Sequence, residues 1–307
     1  MENRNFTGIR KYYEFSKERF PLPGVILYAG TLFYSSYLFG NILYGSGPCE
    51  WGKSLAGFAV FILVMLHLRI FDEHKDYEDD KIAHPERLLS RGVITLKDLR
   101  KILGFVIIAE AMISLYAGTD QLMLWIIVFV WSLLMFAEFF VPEFLGRNMS
   151  LYLISHQILI PLMFFYAFSF RYDLTSLKGY DIKMILLFAA ALMCATVTYE
   201  IARKTWSGEQ EHEKADSYTR VWGIKTAVTV NQAVALSGTL IMIYIYSTFG
   251  ADMIYNLVIA GLYILFMITG IMFVMDSTAK KSKIVEAGGI LFMLGLFVNS
   301  IVFFCRY

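Results

Sequence analysis

Charge is scarce in this chain. Asp, Glu, Lys and Arg make up 17% of its 307 residues, against about 25% in an ordinary soluble domain. A soluble enzyme of this size would lack the polar surface to cover its apolar surplus. Residues of the set AVILMFWYC reach 57%, and the mean hydropathy is +0.56. Neither sign of charge dominates. Lys+Arg 27 against Asp+Glu 26 leaves a net +1, so there is no field to gather a nucleic acid, and no nucleic-acid partner is expected. The apolar content also excludes a disordered chain. Period-two alternation is missing, which excludes a membrane β-barrel. Cysteine is limited to Cys49, Cys194 and Cys305, an odd number without ligand-like spacing. Cys194 reads as helix packing, and nothing argues that Cys49 and Cys305 pair.

What is abundant is long apolar blocks. Nine have membrane-spanning length, about 17–25 residues. They are Leu22–Tyr44, Leu55–Phe71, Ile102–Ala117, Leu122–Val141, Leu151–Phe170, Ile182–Ile201, Thr226–Tyr246, Ile254–Met275 and Ala287–Phe304. Inside a bilayer the backbone must satisfy its own hydrogen bonds. The expected fold is therefore all-α, a polytopic bundle of nine transmembrane helices forming one domain over residues 1–307. The first block is too long for a cleavable signal and is expected to stay. Residues 1–21 form a basic segment ahead of it.

The loops set an orientation. On the N-terminal side lie Arg4, Arg10, Lys11, Lys17 and Arg19, then Lys75, Lys81, Arg87, Arg91, Lys97, Arg100 and Lys101. Arg147, Arg203, Lys204, Lys214, Arg220, Lys225, Lys280, Lys281 and Lys283 complete that side. The opposite side has only Lys53, Arg171, Lys178, Lys183 and Arg306. This asymmetry predicts a cytoplasmic N-terminus by the positive-inside rule.

Two polar segments follow the second and sixth blocks on that side. The first contains Arg69, Asp72, Glu73, Asp76, Asp79, Asp80 and Lys81. If the helix runs on, Asp72, Glu73, Asp76 and Asp80 share an arc of about 100°. Like charges on one helix face repel unless a cation sits against them. Oxygen-only ligands suit Mg²⁺, which takes one or two carboxylates plus waters and substrate phosphates. Arg87 and Arg91 follow, and guanidinium groups fork onto phosphate oxygens. The chemistry indicated is Mg²⁺ between carboxylates and a diphosphate. The plainer alternative is a solvated acidic helix end with basic anchors beside it. The second segment carries Tyr199, Glu200, Arg203, Lys204, Trp206, Glu209, Glu211, His212, Glu213 and Asp216. Glu200, Lys204 and Glu211 share a face if that helix persists past Gly208. Its mixed signs also permit internal pairing.

Isolated polar residues interrupt the apolar blocks. Glu138 is placed in the fourth helix, His156 and Gln157 in the fifth. Intramembrane ionisable groups are costly and face the bundle interior. Glu138 pairs with His156 or Arg147, or serves as a base toward an acceptor. Asn41 and Asn231 line a cavity or make helix–helix hydrogen bonds.

These residues resemble the UbiA superfamily of intramembrane prenyltransferases over about residues 19–304. The family's first motif reads N-D-x-x-D-x-x-x-D. Asp72-Glu73-x-x-Asp76-x-x-x-Asp80 keeps its spacing, with Asp for Asn and Glu for the first Asp. Arg87-Leu88-Leu89-Ser90-Arg91-Gly92 is similar to the family's R-P-L-x-x-G stretch, with Leu88 for Pro. Arg19-Phe20-Pro21 stands where the family has a basic-aromatic lead-in. The second family motif is aspartate-rich, and here Lys204 falls near a metal-binding Asp.

The resemblance implies an integral membrane enzyme with its active site facing the cytoplasm. It implies Asp72, Glu73, Asp76 and Asp80 as Mg²⁺ ligands, with Glu200 and Lys204 as further catalytic residues. Arg69, Lys81, Arg87, Arg91, Arg203, Tyr199, His156, Glu138 and Asn41 are implied in substrate binding. The substrate implied is an allylic isoprenyl diphosphate, ionised and transferred to an aromatic or lipid acceptor by a monomer held in membrane lipid. A membrane terpene cyclase would use the same ionisation without an acceptor. A transporter is a third reading, disfavoured because no inverted repeat is seen. The allylic cation requires a dry site with π faces. Tyr152, Phe164, Phe165, Tyr166, Tyr199 and Trp206 are candidates among 26 Phe, 19 Tyr and 5 Trp.

Overall fold

A computed structural model describes residues 8–45, 50–172, 178–211 and 217–307. Among the described residues there is no strand. Cys49, His212, Glu213, Lys214 and Asp216 lie outside them. The helices are α1 (Ile9–Arg19), α2 (Leu22–Phe39), α3 (Asn41–Tyr44), α4 (Trp51–Lys75), α5 (Tyr77–Ala83), α6 (Leu96–Ala117) and α7 (Thr119–Phe136). There follow α8 (Pro142–Arg147), α9 (Met149–Gln157), α10 (Leu159–Ser169), α11 (Gly179–Arg203), α12 (Tyr218–Trp222), α13 (Ile224–Thr248), α14 (Met253–Met275) and α15 (Ala279–Phe304).

Eight helical stretches among the described residues are long and apolar enough to cross a membrane: 22–44, 51–75, 119–136, 149–169, 181–203, 224–248, 253–275 and 279–304. The expected third span is a continuous helix, α6, of 22 residues. It falls outside this set because Arg100, Lys101 and Glu110 interrupt its apolar run. Among the described residues the regular structure is thus all helical, as in a polytopic membrane protein.

Internal contacts divide it into two compact units, residues 1–33 with 50–140, and residues 34–49 with 141–307. In the first, α4 packs on α6 and α7. Thr95 opens α6 with a capping box. Its hydroxyl accepts from the Asp98 amide at 3.2 Å, and Asp98 accepts from the Thr95 amide at 3.1 Å. Helix α1 packs Phe15 onto a cluster of Ile70, Leu88, Leu89, Ile94 and Leu99. Leu88 and Leu89 are buried, so they pin the 84–95 loop while the polar residues around them stay at the surface.

The second unit is built on α11, which packs against α13 and α15, with α14 covering both of those. Small residues allow close approach. A Cβ at Gly289 of α15 would stand 2.6 Å from Ala202 Cβ on α11. One at Gly238 of α13 would stand 3.0 Å from Cys194 Cβ. Cys194 is a free cysteine facing that contact, as expected of a packing residue. Phe39, Phe164, Phe188 and Phe304 fill one end of this unit. Phe39 stacks on Phe188 at 4.4 Å and meets Phe304 edge-on at 5.4 Å.

Three sequence expectations change. The fourth span ends at Phe136, not Val141. Glu138, Phe139 and Phe140 then take φ of 46°, 53° and 60°, left-handed backbone that costs non-glycine residues about 1–3 kcal/mol each. The helix through Asp72 does not run on to Asp80. It stops at Lys75, Asp76 leaves helical geometry at φ −93°, ψ 7°, and α5 starts anew. Helix α11 ends at Arg203, so Glu211 does not continue the face of Glu200 and Lys204.

Candidate functional site

The first acidic segment is assembled from the end of α4, the start of α5, the 84–95 loop and the end of α1. Each carboxylate meets a different fate. Glu73 is buried and accepts from Arg19 Nε at 2.5 Å. Asp80 accepts from Arg87 Nη1 and lies 3.6 Å from Arg19 Nη2. Two arginines thus converge on one carboxylate, with Glu73 steadying the first. The Glu18 carboxylate receives the Leu88 amide at 3.3 Å, which holds the loop carrying Arg87. Burial raises the Glu18 carboxyl above its ordinary value, and that amide pulls it back.

Asp72 and Asp76 are different. Both are exposed. Among the described residues the ion contact of Asp72 is a loose one, 3.7 Å from Arg69. The Asp76 side chain forms no ion pair or hydrogen bond among the described residues. Its carboxyl is raised above the ordinary 3.8, first by the surrounding protein. Lys75 opposes that shift, and the charges of Asp80, Glu73 and Glu138 add to it. Glu138 has Lys75 as a partner at 2.5 Å. That ion pair ties the left-handed turn to the end of α4.

The donor set bears on Mg²⁺. Among the described residues no three His, Cys, Asp or Glu side chains converge as a metal cage. Glu73 and Asp80 are committed to guanidinium groups. Asp72 and Asp76, one helical turn apart, fit the common Mg²⁺ arrangement of one or two carboxylates completed by water and phosphate. Lys81 is exposed, its Nζ 5.9 Å from the Tyr77 ring. Arg91 is exposed near Gly92, whose φ of 71° closes the turn.

In the second unit, Glu200 is bridged by Arg203 at 2.7 Å and Lys204 at 3.7 Å. These residues satisfy one another internally. Glu211 folds back to accept from Ser217 Oγ and from Thr219 Oγ1, and its other oxygen is buried without a partner among the described residues. Tyr218 beside them has its hydroxyl pushed up, first by burial and then by the Glu200 charge. Tyr199 is half-buried on α11. His156 stacks on Tyr152 at 3.9 Å and bonds that residue's carbonyl at 2.8 Å. Asn41 donates to the Phe304 carbonyl at 2.9 Å and accepts from Tyr172 Oη at 2.6 Å. Phe164 and Tyr166 are enclosed in the core, and Trp206 donates to the Arg203 carbonyl at 3.0 Å. Asn231 is buried on α13, its side-chain oxygen without a partner among the described residues.

Sequence reasoning missed Glu18, the role of Arg19, and a second polar cluster. His67 Nδ1 lies 2.8 Å from Glu110 Oε1, and Trp125 Nε1 donates to Glu110 Oε2 at 2.9 Å. The signal was available, since His67 and Glu110 are the polar interruptions of two apolar blocks. His67 points about 140° around α4 from Asp72, toward α6 and α7, so this cluster is a helix-packing node.

No protein-family model and no curated protein sequence matches the chain. Two solved structures do. One, described as a digeranylgeranylglyceryl phosphate synthase in membranes, is 15% identical with a TM-score of 0.69, over 97% of this chain and 100% of that one. The other is the apo structure of a UbiA homolog from Aeropyrum pernix K1. It is 13% identical with a TM-score of 0.66, over 89% of this chain and 98% of that one. At such identities the likeness speaks for architecture, and by architecture this chain carries the fold of the UbiA homolog along nearly its whole length.

Proposed function

We infer that the chain is an intramembrane prenyltransferase of the UbiA type, using Mg²⁺ to act on an allylic isoprenyl diphosphate. The observation that carries this reading is the division of labour in the first acidic segment. Asp72 and Asp76 remain open at the end of an apolar helix, while Arg19 and Arg87 gather at Asp80 a few residues on. Open carboxylates next to clustered guanidinium groups suit a metal-bound diphosphate and leave an all-protein cation cage unsupported. The shared fold with a digeranylgeranylglyceryl phosphate synthase supports the same reaction class.

Asp72 and Asp76 would hold the Mg²⁺. When bound, Mg²⁺ supplies charge neutralisation to the departing diphosphate. Arg87 and Arg19 offer forked donors to diphosphate oxygens and keep the acidic segment from repelling the substrate. Glu73 holds Arg19 in place for that role. The carbon–oxygen bond breaks with its electron pair going to the diphosphate. The allylic carbon then bonds to a nucleophilic carbon or hydroxyl of an aromatic or lipid acceptor, which releases a proton.

Purified protein in detergent, given Mg²⁺ and geranyl, farnesyl or geranylgeranyl diphosphate, tests this directly. Pyrophosphate release that depends on an added aromatic or glycerol-lipid acceptor, with a prenylated product, is expected. Release without acceptor, accompanied by a cyclic hydrocarbon, would replace transfer with cyclisation. No release under any condition would overturn the enzyme assignment.

A further inference from the structure

We propose that the outer face of α1 docks on the anionic surface of the bilayer, so that α1 is an interfacial helix laid against lipid headgroups. The two faces of this helix differ in kind. The inner face is occupied. Phe15 is buried with Ile70, Leu88, Leu89, Ile94 and Leu99, Lys11 pairs with Asp98 at 2.7 Å, and Arg19 pairs with Glu73. Asp98 is held down to about 2, first by its hydrogen bond with Lys11. The helix is therefore seated on the first unit at both ends and cannot roll.

That seating fixes what the outer face presents. Ile9, Tyr13 and Lys17 recur at the four-residue spacing of one helix face, with Arg10 beside them. Ile9 is 86% and Tyr13 58% exposed. Arg10 and Lys17 are exposed too, and the Lys17 ammonium lies 4.4 Å from the Tyr13 ring centre. Glu14, partly covered, borders the stripe. An isoleucine and a tyrosine held in the open, flanked by two cations, match the boundary between acyl chains and anionic headgroups.

The position along the chain points to the same occupant. Only Phe20 and Pro21 separate α1 from α2, which opens the first membrane span at Leu22. From Arg19 to Leu22 the chain reaches about 10 Å, so α1 is confined to the level of the bilayer surface. A lipid surface is the partner already in place, and the cations of the stripe complement its negative charge. Because Arg19 ends the same helix, the docking also steadies the guanidinium on Glu73 and Asp80.

The test is made on the full chain, independent of catalysis. Cys49, Cys194 and Cys305 are replaced by Ser, Tyr13→Cys carries an environment-sensitive fluorophore, and the protein is reconstituted in two kinds of vesicle. One is phosphatidylcholine alone. The other contains about one-third phosphatidylglycerol, the anionic content that attracts basic segments. In the anionic vesicles the probe is expected to shift to the blue, resist aqueous iodide, and be quenched by spin labels placed at headgroup depth. Arg10→Glu with Lys17→Glu should remove the difference between vesicles, about fivefold in the docked-to-free ratio per cation. A second label at Glu14→Cys repeats the reading if the first perturbs the helix. Equal iodide quenching in both vesicles at both labels, or no response to the charge reversals, overturns the proposal.

Discussion

His67 Nδ1 and Glu110 Oε1 stand 2.8 Å apart with both side chains entirely enclosed, and the other Glu110 oxygen takes the Trp125 indole N–H. This node joins α4, α6 and α7. Glu110→Ala would leave His67 and Trp125 without partners in an apolar interior, at a cost of about 3–5 kcal/mol. His67→Leu with Glu110→Leu should cost less, because the imidazole leaves with its partner and only the Trp125 indole N–H is then left without an acceptor. Thermal unfolding in detergent of the single and double variants measures the coupling. Purely additive losses would show that the contact contributes nothing.

Asp72 and Asp76 are expected to carry the metal-dependent step. Asp72→Asn and Asp76→Asn should each lower pyrophosphate release by about 10²–10³, as loss of an electrostatic stabiliser does. The fold should survive, since neither side chain forms a close contact. Titrating Mg²⁺ against rate should show the loss as weakened metal dependence. Full activity in both variants would remove the site from this segment.

The raised Asp76 carboxyl makes a stability prediction of definite sign. A carboxyl raised by the fold is disfavoured in its ionised form. Its contribution is present below the ordinary 3.8 and is lost as pH rises through the folded value. Asp76→Asn removes that cost. Unfolding midpoints of the variant and the native chain should coincide at acid pH, and the variant should pull ahead as pH rises toward neutrality. A less stable Asp76→Asn at pH 7 would mean that the charge is compensated.

Arg19→Ala should strand the buried Glu73 charge, again at about 3–5 kcal/mol. Arg19→Gln with Glu73→Gln restores a neutral hydrogen bond and should recover most of the stability but not the activity. That split between unfolding temperature and turnover is the measurement. Recovery of both would make Arg19 structural only.

Gly289 is required by close approach of α15 to α11. Gly289→Val would push against Ala202 and the Tyr199 backbone, at about 1–3 kcal/mol. A lowered unfolding temperature is expected, and an unchanged one would mean that the two helices separate freely.

Much of this was legible along the chain. Hydropathy and helical period are local properties, so the apolar blocks and the two acidic segments could be read directly, and each expected block contains a helix. Where helices stop was less legible. Asp76 breaks the run at Lys75 through backbone geometry that no composition marks, and Phe136 ends α7 before three left-handed residues that carry no glycine. The candidate site divides the same way. The sequence by itself determined that carboxylates and arginines accumulate beside an apolar helix, because spacing alone places them there. Only the tertiary structure decided which carboxylates are already partnered. Arg19 reaches Glu73 across 54 positions, and His67 meets Glu110 across 43. Such pairings are set by which helix faces pack together, and packing depends on the whole chain at once.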